Sequence, residues 1–394
     1  MLFQTFDEKK ECFLIFRNGK FCEELTEDCE KTWTYAPYLQ DHPRIEYANL
    51  YVQKNSLEEA CPSFLRERYN TIALKLKAFL KAASTTGLSL DRFCLYDMIP
   101  EHVLVELANL KNEVCIHIFN NHPKPQHYDH MLKIAQVVGD IKYRELNLDL
   151  NKILRLTVQD KNTYKLLKEN KNYIDYDQFK TITGRLSTRK HSFPIMTLAK
   201  KYREVVKPTN DWLFELDFNA AELRTALGLL GYPQPSIDLH QWNIKHLFNG
   251  TKDRENAKRS AFAALYNPHS PESPVTALYD RKKLKSLYFK DNKVMNPFHR
   301  VIECDEDHAI SYLIQSTAAD VLFEQMYAVW EFLKNKKSFL KFCNHDSIVI
   351  DLAEEDQYLV NDIKEVFCKT RFGRFKINCE GGRDWLNMKK LNIN

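Results

Sequence analysis

The sequence lacks the long apolar runs that a membrane-spanning or secreted chain needs. No apolar stretch reaches about 18 residues, the length at which a helix can cross a bilayer. The segment from Met1 to Arg17 is too charged to form the apolar core of a signal peptide. We therefore expect a cytoplasmic protein without membrane contacts.

Paired cysteines are also lacking. The ten cysteines include no Cys-x-x-Cys pair, and no histidines follow them at zinc-finger spacing. We therefore expect reduced thiols, most of them buried. Internal repeats and low-complexity tracts are missing as well.

The composition is that of a folded protein. With 394 residues, of which 44% are hydrophobic, the chain can form two or three structural units around a well-buried core. The net charge is only +4, but basic residues gather in short patches such as 185–190, 200–203 and 281–285. Such patches suit phosphate binding, although solvated helix faces have the same pattern.

In the N-terminal part, the pattern of apolar and polar residues changes at about residue 56. Before it, apolar runs at 12–16 and 45–52 alternate with turn residues, which is typical of strands. After it, amphipathic stretches at 64–82, 100–110 and 127–138 predict helices. This region therefore combines a small strand-rich segment with a helical one.

Two carboxylates stand next to apolar strands in the C-terminal part. Asp217 belongs to the strand predicted at 212–218, and Asp346 lies between two apolar runs within 339–351. Strands with helices between them indicate an α+β core. Two carboxylates on adjacent strands suit a pair of Mg²⁺ ions, which take oxygen ligands and share substrate phosphates. Taken singly, each could be a turn or cap residue.

A predicted helix between these carboxylates carries Arg254, Lys258, Phe262 and Tyr266, each four residues after the last. This spacing places all four on one helical face. Two cations followed by two rings suit a nucleotide, with the cations on the triphosphate, the first ring toward the sugar and base and the second ring at the template side. An amphipathic helix with core aromatics is the plainer alternative.

The order of the surrounding motifs resembles family A (polymerase I-like) DNA polymerases. Asp217-Phe-Asn-Ala-Ala-Glu-Leu-Arg224 resembles motif A, His345-Asp-Ser347 resembles motif C, and the helix just described resembles the fingers helix. Further matching segments are Thr183-Gly-Arg-Leu-Ser-Thr188, Asp238-Leu-His240 and Ile314-Gln-Ser-Thr-Ala-Ala-Asp320. The resemblance covers roughly residues 175–390.

The resemblance implies a two-metal active site. Asp217, Asp346 and the backbone carbonyl of Phe218 would hold two Mg²⁺ ions, with Mn²⁺ as a substitute. Arg254, Lys258 and His240 would bind the incoming triphosphate, and Lys258 would also donate a proton to the leaving group. A capping or packing role is the alternative for His240.

Further roles concern the sugar and the DNA. Glu222, paired with Tyr266, would exclude a 2′-hydroxyl and so favour deoxynucleotides. Phe262, in a position where some relatives have tyrosine, implies discrimination against dideoxynucleotides. Three other residues would contact the minor groove or the primer terminus, with structural hydrogen bonding as their alternative: Arg185, Gln315 and His345.

The chain also departs from the family pattern. Ser347 replaces the glutamate that usually ends motif C, so a third acidic group is missing. The segment between Tyr266 and Asn296 is short, which implies reduced fingers. Residues 1–150 lack the motifs of a 3′–5′ exonuclease, so we expect no proofreading.

The expected fold is an α+β right-hand polymerase with a palm sheet, a helical thumb and shortened helical fingers. Its expected divisions are 1–55, a strand-rich segment of unknown role; 56–175, thumb-like; 176–240, palm with motif A; 241–300, fingers; and 301–394, palm with motif C.

The expected function is DNA-directed DNA synthesis on a primer-template with dNTPs. We expect a monomer of viral or phage type acting in replication in the host cytoplasm, with replication accessory proteins as further partners. The alternatives are a single-subunit polymerase that uses ribonucleotides and a non-catalytic nucleic-acid-binding replication accessory. Retention of Asp217, Asp346, Arg254 and Lys258 disfavours the second alternative.

Overall fold

The structure is a computed structural model that describes residues 1–6, 14–88, 93–159, 172–190 and 192–392. Contacts separate the chain into two units, residues 1–143 and 144–394. The first unit therefore includes both the N-terminal strands and the long helices that follow them.

Short strands precede helices in the first unit. The strands are β1 (Gln4–Thr5), β2 (Ile15–Arg17), β3 (Lys20–Cys22), β4 (Lys31–Thr32) and β5 (Glu46–Tyr47). The helices are α1 (Ala48–Val52), α2 (Leu57–Ala60), α3 (Arg66–Thr85), α4 (Leu95–Met98), α5 (Glu101–Asn121) and α6 (Tyr128–Lys142), with 3₁₀ turns at Pro37–Leu39 and Ser63–Leu65. The helices expected at 64–82, 100–110 and 127–138 correspond to α3, α5 and α6.

Helix α5 supplies much of the core of this unit. Its buried residues recur three or four positions apart because one face of the helix packs inward. They are Val103, Leu104, Leu107, Ala108, Leu110, Val114, Cys115 and Ile118. This spacing continues beyond residue 110, so the helix extends to Asn121.

The prediction of a strand at 45–52 is wrong for most of that range. Only Glu46 and Tyr47 are extended, and Ala48–Val52 forms α1. A short apolar run fits a buried strand or a buried helical turn equally well, so tertiary contacts decide between them. The strand expected at 12–16 is represented by β2, and residues 12–13 lie outside the described part of the chain.

The second unit contains the longer strands. Its strands are β6 (Asn147–Leu148), β7 (Tyr176–Asp177), β8 (Ser187–Thr188), β9 (Val206–Lys207), β10 (Trp212–Phe218), β11 (Phe289–Lys290), β12 (Lys293–Met295), β13 (Val301–Glu303), β14 (Phe339–Asn344), β15 (Ser347–Leu352), β16 (Lys369–Thr370), β17 (Gly373–Arg374), β18 (Ile377–Gly382) and β19 (Lys389–Lys390).

Helices lie between these strands. They are α7 (Leu150–Gln159), α8 (Ala221–Leu229), α9 (Leu239–Leu247), α10 (Arg254–Tyr266), α11 (Pro274–Leu278), α12 (Arg281–Tyr288), α13 (Ala309–Phe332) and α14 (Val360–Cys368). The 3₁₀ helices are Ile195–Thr197, Lys200–Val205 and Glu354–Leu359. The strand expected at 212–218 and the helix expected at 254–266 have these bounds in the structure.

An antiparallel sheet in the order β14-β15-β10-β18-β19 organises this unit. Side chains alternate between its faces. On β10, Phe214, Leu216 and Phe218 are buried on one face, and the Phe218 ring stacks on Phe367 of α14 with ring centroids 4.3 Å apart. Glu215 and Asp217 therefore share the opposite face.

Helix α13 is the longest buried element of this unit. It is apolar along most of its length, and Ile310, Leu313 and Ile314 pack with residues of α8 and α10. Within it, Asp320 is fully buried and accepts two hydrogen bonds from Arg300, at 2.9 and 2.7 Å. This paired charge avoids the large cost of burying an isolated carboxylate.

Among the described residues, eight cysteines are free thiols, of which Cys22 and Cys304 are partly exposed and the other six buried. Cys94 is disulfide-bonded, which corrects the expectation that every cysteine is reduced. Among the described residues, no helix combines the length and the apolar character needed to cross a membrane.

Candidate active site

Asp217 and Asp346 lie on neighbouring segments at one end of the central sheet. Strand β10 pairs with β15 so that Asp217 lies opposite Ser347. Asp346 is the residue before Ser347, in the two-residue turn between β14 and β15. The Phe218 amide donates a hydrogen bond to the Asp346 carbonyl at 3.3 Å. Antiparallel pairing thus joins two carboxylates that are far apart in sequence.

The backbone is strained on both sides of this pair. His345, beside Asp346, has a φ of 54°, and Ala220, the N-cap of α8, also has a φ of 54°. A left-handed conformation costs a residue with a Cβ about 1–2 kcal/mol. Such strain is concentrated at functional sites in proteins.

Burial makes the charge on both carboxylates unfavourable. It raises the pKa of Asp217 to about 6, and the charges of Glu215, Asp346 and Glu380 add to this effect. The Asn378 amide opposes it by donating a hydrogen bond to Asp217 at 3.1 Å. A cation beside Asp217 would therefore stabilise its charged form.

The pKa of Asp346 is also raised. Burial is the main cause, and the charge of Glu222 acts in the same direction, whereas Arg185 and His345 lower the pKa. Both members of the pair thus carry a charge that their surroundings compensate only in part.

The oxygen atoms available here suit Mg²⁺ or Mn²⁺. Two carboxylates and the carbonyl of Phe218 are hard donors, and Mg²⁺ commonly uses one or two carboxylates and completes its shell with water and phosphate. Among the described residues, no cluster of three or more histidines, cysteines and acids has a metal-binding arrangement. Two carboxylates and one carbonyl leave coordination positions for water and phosphate, so these residues fit a metal that shares ligands with a substrate.

Glu222 forms two charge-assisted contacts. Tyr266 donates a hydrogen bond from its hydroxyl to one carboxylate oxygen, and Arg185 donates to the other. Burial, together with the charge of Glu222, raises the pKa of the Tyr266 hydroxyl well above its ordinary value. Glu222 is thereby held between the segment 181–188 and helix α10.

Helix α10 presents a polar and aromatic face to a cleft. Its N-cap, Asp253, accepts a hydrogen bond from the Asn256 amide at 2.9 Å, which fixes where the helix begins. Arg254, Lys258 and Phe262 line the cleft. The Phe262 ring lies against that of Tyr266 with centroids 5.9 Å apart and an interplanar angle of 21°.

Asp238 connects this helix to motif A. One of its carboxylate oxygens accepts hydrogen bonds from Asn219 at 2.7 Å and from Arg254 at 3.1 Å. Burial opposes its charge, but these contacts and the Gln241 amide lower the pKa of Asp238 to about 2. Arg254 is therefore oriented before any ligand binds.

Arg224 lies in the core beneath this network and is fully buried. Its guanidinium donates to the carbonyls of Asn219, Pro235 and Ile237, each at 2.8 Å. Burial lowers its pKa to about 10. These contacts fix the loop that leads to Asp238 and α9.

His240 follows Asp238 on α9 and is 4% exposed. Burial lowers its pKa, and the charges of Arg254 and Lys258 act in the same direction. Its Nδ1 atom has no hydrogen-bond partner among the described residues. His240 also lines the cleft, where an imidazole can donate or accept a hydrogen bond with a ligand.

Most of the residues proposed from the sequence surround one cleft of about 340 Å³. It is lined by Asp217, Phe218, Asn219, Ala220, Ala221, Glu222, His240, Arg254, Lys258, Phe262, Asp346 and Asn378. Arg185 and Tyr266 contact Glu222 but do not line the cleft. Gln315, half-buried on α13, and His345, exposed in the β14–β15 turn, are also outside the lining.

Sequence reasoning missed Asn219 and Asn378. Asn219 lies two residues after Asp217 within motif A, so its position offered a signal. Asn378 is brought opposite Asp217 by pairing of β10 with β18. A polar residue in a short strand carries no motif of its own, and only the sheet register shows its place.

Neither a protein-family model nor a curated protein matches the sequence. Solved structures do match. One of them is the POL domain of Pol1 from M. smegmatis in complex with DNA primer-template and dNTP, with 13% sequence identity and a TM-score of 0.58. The match covers 72% of this chain and 76% of that chain. The chain thus shares a mixed helix-and-sheet fold with this POL domain, which confirms the expected combination of helices and strands.

Proposed function

We propose that this protein is a DNA-directed DNA polymerase that adds dNTPs to a primer 3′ end by two-metal phosphoryl transfer. The observation that supports this most is the cleft itself. It brings Asp217 and Asp346 together with Arg254 and Lys258, which are the groups needed to bind metal and triphosphate. The likeness to a POL domain whose complex contains primer-template and dNTP adds support.

Asp217, Asp346 and the Phe218 carbonyl would hold the two Mg²⁺ ions, for which Mn²⁺ would substitute. When bound, such ions lower the pKa of an attacking hydroxyl and neutralise charge on the phosphates. The protein's own contribution is mainly to position the reacting groups and to exclude water. Asn378 would keep Asp217 oriented through its hydrogen bond of 3.1 Å.

Arg254 and Lys258 would bind the triphosphate, with His240 as a further contact. The guanidinium of Arg254 can meet two phosphate oxygens at once, whereas Lys258 acts as a compact charge. Lys258 would also donate a proton to the leaving pyrophosphate. His240 lines the cleft together with Arg254 and Lys258, which supports its role as a phosphate contact.

The residues around Glu222 would select the sugar. Glu222, held by Tyr266 and Arg185, would occupy the volume that a 2′-hydroxyl needs. Phe262 would lie beneath the sugar and base. This arrangement favours DNA synthesis over the alternative of a ribonucleotide-using polymerase.

Arg185, Gln315 and His345 would contact the primer-template. Arginine and glutamine can donate to the minor-groove acceptors that correctly paired bases present. In the structure Arg185 contacts Glu222, so it would sense the nascent pair next to the sugar site.

We also propose a subdomain assignment. Residues 176–240 and 301–394 would form the palm, 241–300 reduced fingers and 56–175 a thumb, with no role assigned to 1–55. The protein would act as a monomer of viral or phage type in replication, in the host cytoplasm, together with accessory proteins. It would belong with the family A polymerases and lack 3′–5′ exonuclease activity.

The deciding experiment is primer extension with purified protein, Mg²⁺ and either dNTPs or NTPs. We expect extension with dNTPs only, and its loss in Asp217→Ala and Asp346→Ala. A matched control is Asp305→Ala, since Asp305 is an exposed carboxylate beside His308. Extension that survives both substitutions would exclude this mechanism. DNA binding without extension would favour the replication accessory.

Exonuclease activity is tested separately with a 3′-labelled single strand. No trimming is expected in the presence of Mg²⁺. If trimming occurs and is lost on substitutions within residues 1–60, the proposed absence of proofreading is wrong.

A further inference from the structure

Ser347 leaves a gap in the acidic pattern of the site, because the motif it resembles ends in glutamate. In the structure Ser347 is 3% exposed and lies opposite Asp217 across the β10–β15 pair. Directly paired residues of antiparallel strands project their side chains to the same face. A glutamate at position 347 would therefore project from the same face as Asp217.

Another carboxylate reaches this position from the neighbouring strand. Glu215 precedes Asp217 by two residues on β10, so both project from the same face. The Ser347 hydroxyl donates a hydrogen bond to Glu215 Oε1 at 2.6 Å. The side chain of Glu215 thus brings a carboxylate next to Ser347, although residue 347 itself is not acidic.

The Glu215 carboxylate is held at both oxygens. Trp385, which is 3% exposed, donates from its indole Nε1 to Glu215 Oε2 at 3.1 Å. Ser347 is also within 3.0 Å of the Asn344 carbonyl, at the other end of the hairpin turn. Glu215 thereby links β10, which carries Asp217, to the hairpin that carries Asp346.

We propose that Glu215 is the third acidic group of this site and replaces the carboxylate that Ser347 lacks. This inference rests on the proposed function. Both oxygens of Glu215 have partners, and neither Glu215 nor Ser347 lines the cleft, so Glu215 is a positioning residue and not a metal ligand. It contributes a fixed negative charge and keeps the strands of Asp217 and Asp346 in register. Groups just outside a metal's ligands commonly change its affinity in this way.

The test measures Mn²⁺ binding by calorimetry without nucleotide or DNA. We expect Glu215→Gln to weaken Mn²⁺ binding by roughly tenfold. Adding Ser347→Glu to that variant returns a carboxylate to the same place, so the double variant should recover most of the affinity. Ser347→Ala leaves Glu215 charged but removes the hydroxyl that orients it, and should weaken binding several-fold.

The control is Glu380→Gln. Glu380 lies on β18, which flanks β10 on the side away from β15, and it is directly opposite Glu215. Its side chain therefore projects from the same face of the sheet as Glu215 and Asp217. We expect it to change the affinity by less than about threefold, since outer-shell effects depend on contact. An equal loss in Glu380→Gln would show a general charge effect and overturn the proposal. Unchanged binding in both Glu215→Gln and Ser347→Ala would overturn it as well.

Primer extension in the same variants separates this proposal from the proposed function. If the wild type extends primers, we expect the half-saturating Mg²⁺ concentration to rise in Glu215→Gln and to fall again in the double variant. The double variant Glu215→Gln/Ser347→Glu can unfold at the wild-type temperature and still show no fall in the half-saturating Mg²⁺ concentration. That result would overturn the role of Glu215. A wild type that binds Mn²⁺ but extends no primer would instead overturn the proposed function.

Discussion

The Tyr266 hydroxyl donates a hydrogen bond to Glu222, which joins the last turn of α10 to the first turn of α8. Arg185 holds the other oxygen of the same carboxylate. Glu222 therefore has a defined position beside the cleft even without a ligand.

This position predicts the result of shortening Glu222. In Glu222→Ala, the preference for dNTPs over NTPs, measured as the ratio of kcat/KM values, should fall by roughly a hundredfold because the excluded volume is lost. Tyr266→Phe is the matched control, since it keeps the ring and leaves Glu222 bound to Arg185. It should lower the ratio much less. An unchanged ratio in Glu222→Ala would contradict the assignment of the sugar site.

Phe262 predicts how the site treats chain terminators. A tyrosine there would present a hydroxyl that can replace the hydrogen bond a dideoxynucleotide lacks. With about 1.5–3 kcal/mol for a hydrogen bond to a charged group, Phe262→Tyr should improve dideoxynucleotide incorporation roughly tenfold to a hundredfold. Competition between ddNTP and dNTP in single-nucleotide insertion measures this. Equal discrimination against ddNTPs in the mutant and the wild type would contradict the proposed place of Phe262 beside the sugar.

The raised pKa of Asp217 predicts a dependence of stability on pH. Its folded pKa of about 6 lies above the ordinary 3.8, so between these values the folded chain keeps a proton that the unfolded chain has lost. The contribution of Asp217 to the free energy of unfolding therefore falls as pH rises from about 4 to 6 and stays lower above that range. Asp217→Asn removes this contribution.

In EDTA at pH 8, Asp217→Asn should be more stable than the wild type by about 1–2 kcal/mol, after allowing for partial solvent exposure. At pH 4 the two should unfold at similar temperatures. Denaturant unfolding at both pH values measures the difference. A variant that is less stable than the wild type at pH 8 would show that burial of the charge is compensated in some other way.

Arg224 predicts a cost in stability. Arg224→Met keeps much of the side-chain volume but leaves the carbonyls of Asn219, Pro235 and Ile237 without this donor. We expect a loss of about 3 kcal/mol in the free energy of unfolding. Arg259→Met is the control, because Arg259 is exposed on α10 and donates a side-chain hydrogen bond to its helical neighbour Asn256 at 3.0 Å. Equal effects of the two would show that Arg224 does not hold the loop.

Local elements could be predicted well from the sequence. The strand at 212–218 and the helix at 254–266 lie where the sequence predicted them, because an apolar run and a four-residue spacing are short-range properties of the chain. The run at 45–52 could not be assigned correctly, since its apolar residues fit a strand or a helical turn equally. Its conformation depends on what it packs against.

The sequence by itself determined which residues are chemically suited to bind metal and phosphate in the candidate cleft and which of them share a helix face. Only the tertiary structure decided that Asp217 lies opposite Ser347, that Asn219 and Arg254 bind Asp238, and that Glu215 reaches Ser347. These contacts join strands and loops that are distant along the chain. Their geometry follows from sheet register and side-chain burial, which no local pattern of residues specifies.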